Sequence, residues 1–167
     1  MAIVGLLPAA GYATRLQPLD CSKEVLPVGG RPVIDYTVER MRLAGATELV
    51  VVTREEKDDV AAYARGVGAT VVLARPETVT ASFAAGVRRL ADDDVALLGW
   101  PDAIWEPRDG YRPLVAAVEA GLDGRGSAPD RFDGRVRRPE ATSWKTVAGS
   151  SCAGDCTEGR AGGRLSS

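Results

Sequence analysis

Short apolar runs rich in β-branched residues alternate with stretches of helical periodicity over most of the chain. The runs comprise residues 2–7, 48–53, 69–74 and 95–100. Continuous apolar runs of this length are typical of strands that are covered on both faces. Strands and helices that alternate with short connections form right-handed crossovers, which place the strands in a parallel sheet with helices on both sides. The sequence therefore predicts an α/β fold of three layers with a mostly parallel sheet.

Helix signals lie between these runs. Pro32 is expected at the first position of a helix that ends near Gly45, and Thr53 and Glu56 have the spacing of a capping box that would start a second helix. A fourth helix is expected at about residues 111–122. The inward-facing residues of the first three helices are predicted to be Ile34, Val38 and Met41, then Val60, Ala64 and Val67, then Val79, Phe83, Val87 and Leu90.

Composition narrows the range of functions. The chain has 167 residues, enough for one domain with a core, and its 21 basic and 23 acidic residues give no general polyanion-binding surface. Nucleic acid is therefore not expected as a partner. No run approaches the roughly 20 apolar residues of a membrane span, and the N-terminus lacks a basic signal segment, so a cytoplasmic protein without a membrane partner is predicted. The absence of histidine removes the usual general base.

The loop after the first predicted strand, "AAGYATR", points to an anionic ligand. Small side chains let backbone N–H groups approach phosphate oxygens, and Arg15 and Lys23 follow as cations that suit a triphosphate. The small residues of this loop are Ala9, Ala10, Gly11 and Ala13. Ligands of parallel α/β sheets bind at the carboxyl ends of the strands, where the strand order reverses. A tight turn with two solvated cations is the alternative. The motifs G-x-G-x-x-G and G-x-x-x-x-G-K-[ST] are absent, which argues against a dinucleotide site and a P-loop.

Beyond residue 122 the sequence shows neither the periodicity of a helix nor that of a strand. Residues 123–167 are dominated by Gly, Arg, Ser, Ala and Asp, a composition that cannot bury enough apolar surface to offset the ordering of the backbone. The expected domain, a nucleotide-binding candidate, therefore comprises residues 1–122, and residues 123–167 are expected to be a low-complexity tail that is mostly disordered. Two origins stay open for this tail: a flexible segment, or a lost reading frame, since a GC-rich gene gives such residues out of frame.

The segments "LLPAAGYATRLQPL" and "SKEVLPVGGRPVIDYTVERM" resemble the N-terminal signature of the sugar-phosphate nucleotidylyltransferases, which include glucose-1-phosphate thymidylyltransferase and uridylyltransferase. The resemblance extends from Ile3 to about Leu122. It implies a Rossmann-like nucleotide-diphospho-sugar transferase fold, with the C-terminal half truncated or replaced. The matching positions are Gly11, Thr14, Arg15, Pro18, Lys23, Leu26, Pro27, Val28, Pro32 and Asp102.

The resemblance also implies a reaction and its partners, an NTP and a sugar 1-phosphate, which give an NDP-sugar and pyrophosphate. Such a transfer needs positioning and charge stabilisation rather than a base, because the attacking phosphate is already ionised. Arg15 is assigned to the leaving β- and γ-phosphates and Lys23 to the α-phosphate, both as catalytic residues. Asp102 is assigned to Mg²⁺, the expected cofactor, with a turn or N-cap role as its alternative. The sequence does not indicate an oligomeric state.

Further site residues follow from the same resemblance. The backbone cradle is assigned to Ala9, Ala10, Gly11, Tyr12, Ala13 and Thr14. Arg75 and Thr78 fall where the family reads the base, and are nucleotide-site candidates. Trp100 and Trp105 flank Asp102 and would either stack on a ligand or pack the loop.

Departures from the family pattern keep other functions open. Ala13 stands where the family usually has its second Gly, so its Cβ is expected to disfavour a positive φ. A second Lys and a second metal-binding Asp are not recognisable after residue 122. The alternatives are a cytidylyl or molybdopterin-type nucleotidyltransferase, which shares an "AAG-x-x-x-R" loop, and a non-catalytic nucleotide-binding fragment or remnant.

Overall fold

The computed structural model describes residues 1–16 and 18–121, and the backbone of residues 145–148. Five strands form one sheet: β1 (Ile3–Pro8), β4 (Glu48–Thr53), β5 (Thr70–Leu73), β6 (Val95–Leu98) and β7 (Lys145–Ala148). Their order is β5–β4–β1–β6–β7, and all neighbouring strands are parallel. A short antiparallel hairpin, β2 (Pro27–Val28) and β3 (Arg31–Pro32), stands apart. The helices are α1 (Val33–Leu43), α2 (Asp58–Gly66), α3 (Val79–Val87) and α4 (Arg112–Glu119).

Helices cover both faces of the sheet, which confirms the predicted fold class. Leu6 and Leu7 are adjacent in β1 and fully buried, but they belong to different hydrophobic clusters. The cluster around Leu7 includes residues of α1, α2 and α4, and the cluster around Leu6 includes residues of α3. The near-continuous apolar runs are explained by this double coverage, because successive side chains of a strand point to opposite faces.

The predicted helix starts need correction. Pro32 is the N-cap of α1 and not its first helical residue. The capping box is wrong, because α2 begins only at Asp58. Thr53 continues β4, where it pairs with Leu73, and Ala74 N donates to Thr53 O at 2.8 Å. Thr53 therefore forms part of a strand and does not cap the helix, contrary to the prediction from its local spacing.

The inner stripe of α3 is confirmed except at its first position. Phe83, Val87 and Leu90 are buried against the sheet, whereas Val79 is 48% exposed. Val79 is the first residue of α3, and this end of the helix follows the carboxyl end of β5. Of the described helices, none is long and apolar enough to span a membrane.

Within residues 123–167 the structure describes one strand that the sequence did not predict. Lys145–Ala148 forms β7, which pairs with β6 from Val95↔Lys145 to Leu98↔Ala148. A four-residue strand at a sheet edge is too short to show a period, so only its pairing reveals it. The rest of the expected tail, and the boundary at residue 122, lie outside the described residues.

The strand order reverses at β1. The chain passes from β1 to β4 and β5 on one side, and β6 then pairs with the other side of β1. The loops that follow β1 and β6 therefore meet at one point of the sheet's carboxyl edge, where parallel α/β sheets bind ligands.

Candidate active site

The β1 loop, residues 9–16, leaves the sheet at the strand-order reversal. Ala9 N still donates to Val52 O at 2.7 Å, and Ala9 and Ala10 are buried. The chain then turns outward at the exposed Gly11 and Tyr12 and closes with a 3-10 turn over Thr14–Leu16. The small residues Ala9, Ala10 and Gly11 leave little side-chain cover over the backbone of this loop.

Ala13 contradicts the expectation from the sequence. Its φ is +53°, in the left-handed region that its Cβ was expected to disfavour. The carbonyl of Ala13 accepts the Leu16 N–H at 2.9 Å, which closes the 3-10 turn. This conformation costs a non-glycine residue about 1 to 2 kcal/mol, so the turn is formed at the expense of backbone strain.

Arg15 lies on the exposed side of this turn. Within the described residues, its guanidinium has no hydrogen-bond or ion-pair partner. An exposed cation beside backbone N–H groups is suited to phosphate oxygens, for which the guanidinium offers two parallel donors.

Lys23 and Asp102 come together across the loops. Lys23 Nζ lies 2.6 Å from Asp102 Oδ2, and the two side chains are 24% and 37% exposed. Lys23 begins a 3-10 turn, Lys23–Val25, and Asp102 lies in the β6 loop, residues 99–105. The structure thus joins the predicted catalytic lysine to the predicted metal ligand at the carboxyl edge of β6.

Helix α1 fixes the β6 loop. Thr37 Oγ1 is 2.8 Å from Trp100 O and 3.2 Å from Ala103 O, and Arg40 Nε donates to Trp105 O at 2.7 Å. Gly99 permits this approach, since a Cβ at this position would come within 2.6 Å of Thr37 Cγ2. The backbone on both sides of Asp102 is therefore held by buried side chains.

Helix α2 fixes the segment before Lys23. Asp59 accepts the Ser22 N–H at 2.6 Å and the Ser22 hydroxyl at 2.7 Å. Burial acts to raise the pKa of Asp59, but the hydrogen bonds from Ser22 and Val60 and the charge of Lys57 together lower it below its ordinary value. The ionised carboxylate therefore anchors the chain next to the catalytic candidate.

Two cations of the β4 loop, residues 54–57, lie beneath the β1 loop and were not identified from the sequence. Arg54 Nε donates to Ala10 O at 2.5 Å, and Lys57 Nζ donates to Ala9 O at 2.9 Å. Lys57 also pairs with the fully buried Glu24 at 2.7 Å. The only signal in the sequence is a charged segment directly after a strand, and such a segment is usually solvated.

Arg75 and Thr78 lie at the same edge of the sheet but have structural partners. Arg75 pairs with Glu55 at 3.4 Å and with Glu56 at 2.7 Å. Thr78 is the N-cap of α3, and its hydroxyl accepts the Ala81 N–H at 3.1 Å.

The two tryptophans pack onto aromatic neighbours. Trp100 makes an edge contact with Phe83 at 5.8 Å, and Trp105 makes one with Tyr111 at 5.0 Å between ring centroids. These contacts favour the packing role that the sequence left open.

Asp102 is the candidate metal ligand, and its surroundings restrict the kind of metal ion that could bind. The described residues hold no cluster of three or more His, Cys, Asp or Glu side chains that could bind a metal. A single carboxylate does not make a complete cage, but it fits Mg²⁺, which keeps several waters and binds through one or two carboxylates and substrate phosphates. The donor set therefore fits a metal that arrives with a polyphosphate.

Comparisons with known proteins identify the family and the fold of the chain. A family model described as a MobA-like NTP transferase domain matches residues 5–143. The UTP–glucose-1-phosphate uridylyltransferase of Pseudomonas aeruginosa is 46% identical over 54 residues, which are 31% of this chain and 19% of that protein. The chain thus matches less than a quarter of the length of this relative.

Solved structures match more of the chain. A nucleotidyl transferase from a Methanothermobacter species has a TM-score of 0.59 and 28% identity, over 69% of this chain and 57% of that one. The Rv0371c protein of Mycobacterium tuberculosis H37Rv has a TM-score of 0.61 over 91% of this chain and 90% of its own, at 19% identity, which supports the fold alone. The resemblance seen in the sequence is confirmed, and the chain belongs to the family of MobA-like NTP transferase domains.

Proposed function

We propose that this protein binds the magnesium complex of a nucleoside triphosphate and transfers the nucleotidyl group to a sugar 1-phosphate. An oxygen of the sugar phosphate attacks the α-phosphorus, the bond from that phosphorus to the bridging oxygen breaks, and pyrophosphate leaves. No proton needs to be removed, which agrees with a chain that has no histidine. The observation that carries the proposal is the Lys23–Asp102 pair beside the β1 loop at the strand-order reversal.

Each candidate residue has a role that suits its position. The N–H groups of the β1 loop bind phosphate oxygens, and the exposed Arg15 offsets charge on the leaving pyrophosphate. Lys23 would exchange its partner Asp102 for the α-phosphate, and Asp102 would then be the residue that holds Mg²⁺. The bound metal would neutralise phosphate charge and orient the triphosphate.

The proposal also covers the contacts with the nucleotide base and the identity of the molecule that accepts the nucleotidyl group. Arg75 and Thr78 are proposed to contact the nucleotide from the loop after β5; Arg75 would have to leave Glu56 to do so. A sugar 1-phosphate acceptor is supported by the name of the Pseudomonas relative, of which the chain matches 19%. We place the protein in the cytoplasm, where nucleoside triphosphates are available.

A molybdopterin-type acceptor is the second candidate, because the matching family is described as MobA-like. It uses the same triphosphate site and differs in the acceptor alone. A non-catalytic nucleotide-binding chain is the remaining alternative.

Pyrophosphate release tests the proposal. The chain is incubated with each of the common NTPs, a panel of sugar 1-phosphates, and either Mg²⁺ or EDTA. We expect release that requires one NTP, one sugar 1-phosphate and Mg²⁺ together. Nucleotide binding by calorimetry without release with any sugar would overturn sugar transfer and leave the other two candidates, whereas no binding of any NTP would overturn the nucleotide site itself.

A further inference from the structure

Two buried cations hold the carbonyl groups of the β1 loop. Arg54 is 4% exposed and Lys57 is 8% exposed. Arg54 Nε donates to the carbonyl of Ala10, and Lys57 Nζ donates to that of Ala9. Two successive peptide groups are therefore held from the same β4 loop.

The positions of these carbonyls determine where the next N–H groups point. The peptide bonds after Ala9 and after Ala10 are trans. In a trans peptide the N–H points away from the C=O of the same unit, so the N–H groups of Ala10 and Gly11 point away from the two cations. Neither N–H has an acceptor among the described residues.

The lack of an acceptor matters because Ala10 is buried and Gly11 is exposed. A buried N–H without an acceptor costs free energy that a bound phosphate oxygen would recover. The adjacent Gly11 leaves the same backbone accessible to solvent. The pair of N–H groups therefore has the properties of an anion site that is formed before the ligand arrives.

Both cations are anchored on a second side. Lys57 Nζ lies 2.7 Å from Glu24 Oε2, and Glu24 follows Lys23 in the same 3-10 turn. The Arg54 guanidinium lies 3.6 Å from the centre of the Tyr12 ring, and its Nη2 is 3.4 Å from Pro76 O. The two cations thus connect the β1 loop to the Lys23 turn and to the loop after β5.

We propose that Arg54 and Lys57 are positioning residues for phosphate binding. They turn the carbonyls of Ala9 and Ala10 inward, so that the N–H groups of Ala10 and Gly11 face a phosphate oxygen of the triphosphate. Neither side chain touches the reacting atoms. This inference rests on the proposed nucleotide site and adds the residues that preorganise it.

Binding of inorganic tripolyphosphate with Mg²⁺ tests the proposal without the base. In ¹⁵N-labelled wild-type protein, we expect the ligand to shift the amide signals of Ala10 and Gly11. Arg54→Met removes the charge-assisted hydrogen bond that orients the peptide group after Ala10. We expect the ligand to bind about tenfold or more weakly, because the protein must then orient that peptide group on binding, and we expect the Gly11 shift to be lost more than the Ala10 shift. Arg112→Met is the matched control, because Arg112 Nε also donates to a backbone carbonyl, that of Leu43 at 2.9 Å, outside the site.

A double variant tests the positioning role of Lys57 and avoids leaving its partner Glu24 charged, buried and unpaired. Glu24→Met with Lys57→Met removes both charges of the pair and replaces them with side chains of similar length, an exchange that often preserves folding. We expect weaker binding and a loss of the Ala10 shift, with thermal unfolding close to wild type.

The outcomes separate this inference from the proposed function. Wild-type protein that binds tripolyphosphate with shifts at amides other than Ala10 and Gly11 would overturn the positioning role, even if every variant failed to fold. Equal affinity in wild type and a folded variant would overturn it as well. A wild-type protein that binds neither tripolyphosphate nor any NTP would overturn both the proposed function and this inference.

Discussion

The ammonium of Lys23 and the carboxylate of Asp102 lie 2.6 Å apart, although 79 positions separate them in the chain. In the free protein each group neutralises the other. A magnesium–triphosphate complex carries both a cation for Asp102 and anionic oxygens for Lys23. It can therefore replace both partners of the ion pair when it binds. Mg²⁺ alone would displace the Lys23 ammonium from Asp102 and leave it without an anionic partner, so we expect Mg²⁺ alone to bind weakly.

Asp102→Asn should remove the contribution of Mg²⁺ to nucleotide affinity. The carboxamide keeps the shape of the side chain but lacks the charge that a hard cation prefers. Calorimetric titration with the preferred NTP should show that Mg²⁺ raises the affinity of wild type and barely changes that of the variant, with similar affinities in EDTA. Asp109→Asn, in an exposed turn nearby, is the control. A parallel loss with and without metal would assign a structural role to Asp102.

Arg15→Ala should weaken binding of the triphosphate by about 1.5 to 3 kcal/mol, the contribution of a hydrogen bond to a charged group. Titration calorimetry gives the affinity directly. Arg89→Ala removes an exposed arginine near the opposite edge of the sheet and should leave the affinity unchanged. Identical affinities for the Arg15 variant and wild type would exclude contact between this guanidinium and phosphate.

Ala13→Gly should stabilise the protein by about 0.5 to 1 kcal/mol, because relief of the left-handed strain exceeds the greater freedom of glycine in the unfolded chain. The φ of +53° at this position is the basis of the prediction. Urea unfolding measures the free-energy difference. Ala62→Gly, on the exposed face of α2, is the matched control and should destabilise by about 1 kcal/mol. A loss of stability at Ala13 would contradict the assigned strain.

Asp59→Asn should lower stability at neutral pH by about 1 kcal/mol and reduce its dependence on acid pH. Although burial acts to raise the pKa of Asp59, the Ser22 and Val60 hydrogen bonds and the Lys57 charge lower it overall. A lowered folded-state pKa means that the stabilisation is present above the unfolded value, near about pH 4, and is lost as the pH falls through the folded value. Urea unfolding from neutral pH to about pH 3 measures this loss. Asp58→Asn, at the exposed neighbouring position, is the control, and equal acid sensitivity of wild type and Asp59→Asn would refute the assignment.

The sequence by itself determined four of the five strands of the sheet and predicted where the candidate site lies. The strand Glu48–Thr53 was predicted residue for residue, because strand burial on both faces leaves a continuous apolar run that is visible locally. The loop after β1 and Asp102 were identified because small residues, cations and a carboxylate follow strands whose carboxyl ends must meet in a parallel sheet. These are properties of neighbouring residues and of a fixed crossover handedness.

Only the tertiary structure decided which charges are buried and which caps form. Thr53 and Glu56 have the spacing of a capping box, but pairing of Thr53 with Leu73 prevails. Lys57 and Glu24 are 33 positions apart in the sequence. A charged side chain can be buried only beside a partner of opposite charge, so neither residue could be predicted as buried before the fold brought the two together. Local spacing carries no information about such a partner, so the support beneath the β1 loop became visible only when distant segments were brought into contact.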